Sequence, residues 1–214
     1  MEKVNEMEQI IEYFNHETTE NIAKYLLGMY IEHETPNGKL GGYIVDCEAY
    51  LGPDDEAAHS YGMRDTPRVR AMYEKPGTIY LYTMHTHLIL NMITQPVGIP
   101  QGVMIRGFEP VEGLDQMIMN RHGRLGVELS NGPGKLVEAL GIKPELYGRS
   151  IFSSSLHLVP EKRRFPKVID ALPRIGIPNK GVWTERPLRY VVRGNPYITK
   201  QRKKLIDEEN GWRK

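Results

Sequence analysis

GYIVDCEAYLGPDDEAAHS, Gly42 to Ser60, opens like a strand and breaks at Gly52-Pro53. Strict alternation sends Ile44, Asp46, Glu48 and Tyr50 to one face and Tyr43, Val45, Cys47 and Ala49 to the other. Glu48 and Tyr50 therefore point the same way at the strand's end, where a rigid element meets a loop and catalytic side chains are often carried. Asp54, Asp55 and Glu56 follow Pro53 consecutively and suit a solvated turn or a helix start. Upstream, Met29–Glu34 and the Pro36-Asn37-Gly38 punctuation predict that this strand is the second arm of a β-hairpin with an Asn-Gly turn.

The flanks supply helices and further strands. Asn5–His16 is a short acidic segment with Ile10, Ile11, Tyr13 and Phe14, read as a helix. Thr19 is placed to cap a second helix in which Ile22, Ala23, Leu26 and Leu27 recur before Gly28 stops it. Thr78–Met84, Gly102–Arg106, Leu156–Val159 and Leu188–Arg193 read as strands, and Leu114–Met119 and Lys135–Leu140 as helices. The fifteen prolines are spread along the chain, with no repeat and no low-complexity linker. The expectation is an α+β fold in one domain over residues 1–214, with 1–17 an N-terminal extension and 201–214 a polar tail.

At 214 residues, 40% hydrophobic and 26% charged, the chain has the composition of an ordinary soluble domain with a sizeable core. Charged residues begin at Glu2 and no apolar run is long enough to cross a bilayer, so a cytoplasmic protein without membrane contact is expected. Cys47 is the only cysteine, which excludes an internal disulfide and disfavours a thiolate zinc site. The net charge of +1 hides a segregation. Residues 1–58 hold thirteen Asp and Glu against three Lys, whereas 162–204 hold thirteen Lys and Arg against Asp170 and Glu185. Such a basic segment, interleaved with Tyr190 and Tyr197, suggests a surface for a polyanion. Arg163, Arg164, Lys180, Arg186, Arg189 and Arg193 are its candidate phosphate contacts.

Ordered blocks then add a resemblance. Glu48-Ala49-Tyr50-Leu51-Gly52 followed by Asp55-Glu56-Ala57-Ala58-His59-Ser60 resembles the signature of the alkyladenine (3-methyladenine) DNA glycosylases. Thr66-Pro67-Arg68, Lys75–Tyr80, Ile105–Pro110, Asn131–Leu136 and Arg189–Gly194 continue it in order, so the likeness covers roughly residues 18 to 200. It implies a single domain around a curved antiparallel sheet flanked by helices and long loops. It implies a monofunctional enzyme of base excision repair, monomeric, with no metal and no cofactor, acting on double-stranded DNA that contains damaged purines. By position it implies that Glu48 is the general base and that Arg106 helps hold the water, with the Ile175 carbonyl taking part. Tyr50, His59 and Tyr82 fall on the pocket for the flipped base, and Asn91 on the residue that limits which purines fit. Where the family inserts a wedge into the duplex, this chain reads Tyr82–His87, one residue shorter, and His85 is the expected wedge, with Met84 and Thr86 as alternatives.

The chemistry suits one carboxylate. Breaking a bond to a sugar C1′ develops positive charge on the sugar, which a nearby carboxylate stabilises while drawing a proton from water. An N-alkylated purine is already a good leaving group, so no second catalytic acid is required. Arg106 is expected to keep Glu48 ionised. Tyr80 is read as core packing. Two rivals remain open on the residues: a metallohydrolase using His85 and His87 with Glu48 or His59, and a DNA-binding module without catalysis.

Overall fold

The computed structural model describes residues 6–214. Helix α1 (Glu6–His16) buries Ile10 and Phe14, four residues apart on one face; Asn5, expected at its start, lies outside the described residues. Helix α2 (Thr19–Leu26) buries Ile22, Ala23 and Leu26. Its cap is Thr18 rather than Thr19: the Thr18 side chain accepts from the Asn21 amide. Thr19 is the first helical residue and turns inward, its hydroxyl 2.6 Å from Gln101 and 2.8 Å from Thr94.

Strands β1 (Tyr30–Thr35) and β2 (Gly38–Tyr50) form the expected hairpin. Thr35 pairs with Gly38, so the connecting residues are Pro36 and Asn37 instead of Asn37 and Gly38. The other strands are β3 (Ile79–Met84), β4 (His87–Ile93), β5 (Gly102–Glu112), β6 (Leu156–Val159), β7 (Ile169–Leu172) and β8 (Arg189–Val192). They pair antiparallel in the order β3-β4-β5-β2-β1-β6, with β8 and then β7 added beside β2. The other helices are α3 (Leu114–Asn120), α4 (Pro133–Ala139) and α5 (Val182–Glu185). This is one α+β domain around a curved antiparallel sheet.

The thirteen-residue β2 organises that sheet. Along one edge it runs beside β5 for almost its whole length. Along the other it pairs with β1 up to Tyr43 and with β8 from Asp46. At that change of partner the β2–β5 register shifts twice, leaving Val45 and Arg106 without direct partners. Bulges of this kind bend a strand and re-aim its side chains, and they recur beside active sites. Both faces of β2 are covered from Leu40 to Ala49. Phe14, Leu26, Ile44, Phe108, Leu136 and Leu140 belong to the main core. Packing is close enough to require glycine at Gly42, where a Cβ would lie 2.1 Å from the Glu109 carbonyl oxygen.

The polar 201–214 segment is fastened by Trp212, 5% exposed, whose indole N–H donates to Glu109 at 2.8 Å and whose ring packs on Tyr43. Much of the charge segregation is consumed inside the fold. Asp46 pairs with Arg189, Asp55 with Arg174 and Glu32 with Lys162, each joining the acidic first quarter to the basic last third.

Candidate active site

Glu48, two residues before the end of β2, stands behind the wall of a cavity of about 340 Å³. Its side chain has no exposed surface. Oε1 lies 3.2 Å from the Arg106 guanidinium and accepts the Ile175 backbone N–H at 2.8 Å, and Oε2 accepts the Tyr50 hydroxyl at 2.9 Å. Tyr50, Arg106 and Ile175 also line the cavity, so the carboxylate stands one layer behind its wall. A carboxylate offers about four acceptor positions; these three donors leave roughly one, on Oε2. Ile175, expected to take part through its carbonyl, also contributes its backbone N–H to Glu48.

Arg106 comes to Glu48 from the unpaired bulge position of β5, and its Nε has no hydrogen-bond partner among the described residues. It favours the ionised carboxylate, against a larger opposing effect of burial. Burial raises the Glu48 pKa above 4.5, against the lowering by Arg106, by the Ile175 amide and by Tyr50, and Asp46 adds to the rise. Burial also lifts the Tyr50 phenol far above its usual value and Tyr82 to about 12, so both remain protonated at neutral pH.

His59, Tyr80, Tyr82 and Asn91 line the same cavity. Residues 52–60 fold as short turns that bring His59 Nδ1 to 2.8 Å from the Tyr80 hydroxyl and its ring to 4.4 Å from the Tyr82 ring, edge-on. Burial pushes the imidazole below 6.5, with Arg68 and Arg64 adding to the shift, so His59 is neutral at pH 7. Because Nδ1 is occupied by Tyr80, Nε2 is the ring nitrogen left for a ligand. Tyr80, read from sequence as packing alone, is thus both a wall of the cavity and the group that orients His59. Asn91 on β4 donates to the Tyr80 and Ile89 carbonyls at 3.2 and 3.5 Å.

The rim carries the β3–β4 hairpin. Met84 pairs with His87, leaving His85 and Thr86 as a two-residue turn with φ of 47° and 70°. Both positive angles match the hairpin turn that ordinarily selects Asn-Gly. A β-branched residue there is strained. Thr86→Gly is therefore expected to stabilise the fold by about 1 kcal/mol, read as a raised melting temperature. The same turn separates the two histidines. His85 lines the cavity, whereas the His87 ring lies against Gly134 at the start of α4. They do not share a strand face, which removes the geometry the metallohydrolase reading required. Among the described residues, the trio Glu32, Glu34 and His157 brings ligand atoms within 4.8 Å of one another, but Lys39 and Lys162 already engage Glu32.

Residues 12–196 match the family described as methylpurine-DNA glycosylase (MPG). The chain belongs to that family. Family membership makes it a DNA glycosylase, a hydrolase of N-glycosyl bonds that acts on damaged DNA. Similar chains carry the curated name "Putative 3-methyladenine DNA glycosylase". One from Enterococcus faecalis is 73% identical over 211 residues, covering 98% of this chain and 92% of that one. One from Staphylococcus carnosus is 47% identical over 202 residues, 94% and 98% of the two chains. One from Listeria monocytogenes is 49% identical over 203 residues, 94% and 97%.

Not every basic residue expected at phosphates is available to this glycosylase for that use. Arg189 is buried and bidentate on Asp46, at 2.9 and 2.7 Å. Arg193 is held by Asp170, and Arg163 stacks on Tyr25 and donates to its carbonyl. Arg164 stays exposed over the Tyr43 ring, and Arg186 is half-buried over Trp183. Closer to the cavity, Arg68 donates to the Thr83 carbonyl and lies over Tyr82; sequence reading did not single it out as charge at the site. No described helix is long and apolar enough to cross a membrane.

Proposed function

We propose that this glycosylase extrudes alkylated or deaminated purines from double-stranded DNA and hydrolyses their N-glycosidic bonds with a water activated by Glu48. The observation that carries the reading is the buried Glu48 carboxylate, held by Arg106 and the Ile175 amide, directly behind a cavity walled by Tyr50, Tyr82 and His59. A base must leave the stack to reach such a pocket. The tyrosine faces suit a flat, electron-poor ring, and His59 Nε2 suits its polar edge. Water takes the remaining acceptor position on Oε2, beside the Arg106 guanidinium. The carboxylate then removes its proton and stabilises the oxocarbenium-like sugar. Asn91 sets which purines fit. His85, at the tip of the strained turn, enters the duplex where the base departs. The enzyme works as a cytoplasmic monomer and reaches the chromosome only through DNA.

The test is release of free base from duplex oligonucleotides bearing single lesions, with chelator present and without cleavage of the abasic strand. Intact lesions after single-turnover incubation with excess enzyme would sink the reading. Its pH dependence follows from the raised pKa. The general base works only when ionised, so release should increase with pH through an acid limb lying above 4.5. A pH–rate profile on a cationic alkylpurine, whose departure needs no protonation, checks the sign.

A further inference from the structure

Asp55 and Arg174 form an ion pair in which neither side chain has exposed surface. Arg174 donates from both terminal nitrogens to the two Asp55 oxygens, at 2.5 and 2.9 Å. The same guanidinium donates to the Ala49 carbonyl at 3.1 Å and lies 4.6 Å from the centre of the Tyr50 ring. Asp55 also accepts the Leu51 amide at 3.1 Å and the Ala57 amide at 3.0 Å. The next residue after Arg174 is Ile175, whose amide holds Glu48. One buried pair thus reaches the peptide linking Glu48 to Tyr50, the loop that leads to His59, and the backbone donor on Glu48.

The geometry points to Asp55 and Arg174 as positioning residues that hold the Ile175 amide and the Tyr50 ring in register with Glu48. Neither residue touches the cavity floor or the reacting atoms. A solvated turn would not need either charge buried. Burying both charges is costly unless their mutual hydrogen bonds compensate; both Arg174 terminal nitrogens are used, while its Nε has no hydrogen-bond partner among the described residues. The hydrogen bonds tie Arg174, next to Ile175, to the segment 49–57 and to the Trp183 carbonyl, stretches far apart in the chain that meet to build the site. This inference rests on Glu48 being the general base.

The experiment uses the full chain, with enzyme in excess over duplex DNA methylated by dimethyl sulfate, and follows released purine. Asp55→Asn and Arg174→Gln are compared with Arg174→Lys and with Glu48→Gln. The saturating rate should fall about 100-fold in the first two, because small misplacements of catalytic groups are costly. The DNA concentration for half-saturation should stay within about threefold. Loosening the Ile175 amide removes a contact that favours the ionised carboxylate, so the acid limb should move to higher pH. Lysine should recover part of the rate by keeping the charge opposite Asp55. If the first two variants fail to fold by circular dichroism, Arg174→Lys carries the same readings. A folded variant with an unchanged saturating rate would overturn the proposal. So would a loss that matches the unfolded fraction with the acid limb in place. Wild-type release by Glu48→Gln would instead overturn the general-base reading, while a silent Glu48→Gln beside fully active Asp55 and Arg174 variants would overturn only this one.

Discussion

Glu48→Gln is expected to lower the single-turnover rate of base release by at least about 10³-fold while lesion-containing duplex still binds. Glutamine matches the carboxylate in size and keeps an oxygen for the Ile175 amide, so the packing around β2 should persist. In the proposed mechanism it removes the base that takes the water's proton and the negative charge that faces the developing oxocarbenium. It also leaves the Arg106 guanidinium, only 6% exposed, without its counter-charge. Electrophoretic mobility shift and quenched-flow release, run on the same preparation, separate binding from chemistry. Release within tenfold of wild type would remove the general-base assignment; loss of binding together with release would mean that the substitution disturbed the pocket.

The second large effect falls on stability. Arg189→Met should cost about 3–5 kcal/mol, the usual consequence of leaving one partner of a buried ion pair alone. Asp46 has no exposed side-chain surface and receives two Arg189 nitrogens and the Thr199 amide. Without the arginine its charge must be neutralised or borne unpaired. The position also links stability to chemistry. Asp46 lies two residues before Glu48 and already raises the Glu48 pKa, while Arg189 offsets that charge. Urea denaturation at pH 7 gives the first quantity, and the pH–rate profile should show the acid limb moved upward. A change below about 1 kcal/mol would show that the Asp46–Arg189 pair contributes little net stability.

The hairpin that carries Glu48, both N-terminal helices and most central strands are legible in the sequence, because their apolar residues repeat with a clear period. His87–Ile93 is not: Leu88-Ile89-Leu90 and Met92-Ile93 form a nearly continuous apolar run, and burial on both sides erases the alternation that marks a strand. Ile169–Leu172 is short and mostly exposed, a strand only because β8 lies beside it. At the site, Glu48, Tyr50 and His59 stand out from local position and family likeness together. Arg174 does not, since its partner Asp55 lies 119 positions away and reads locally as one of three turn acids. The bulge that re-aims Arg106 is equally silent, because it depends on which strand β2 meets after Tyr43. The opposing charge blocks were legible, but charge alone could not tell internal pairing from a surface for phosphate.

Trp212 seats against Tyr43 and donates to Glu109, while β8 fills the edge that β2 leaves open beyond Tyr43. A nascent polypeptide emerging from the ribosome therefore exposes an unpaired flank of its central strand until β8 has been made. A chain halted before β8 would present chaperones with the edge of β2 open from Asp46 to Glu48.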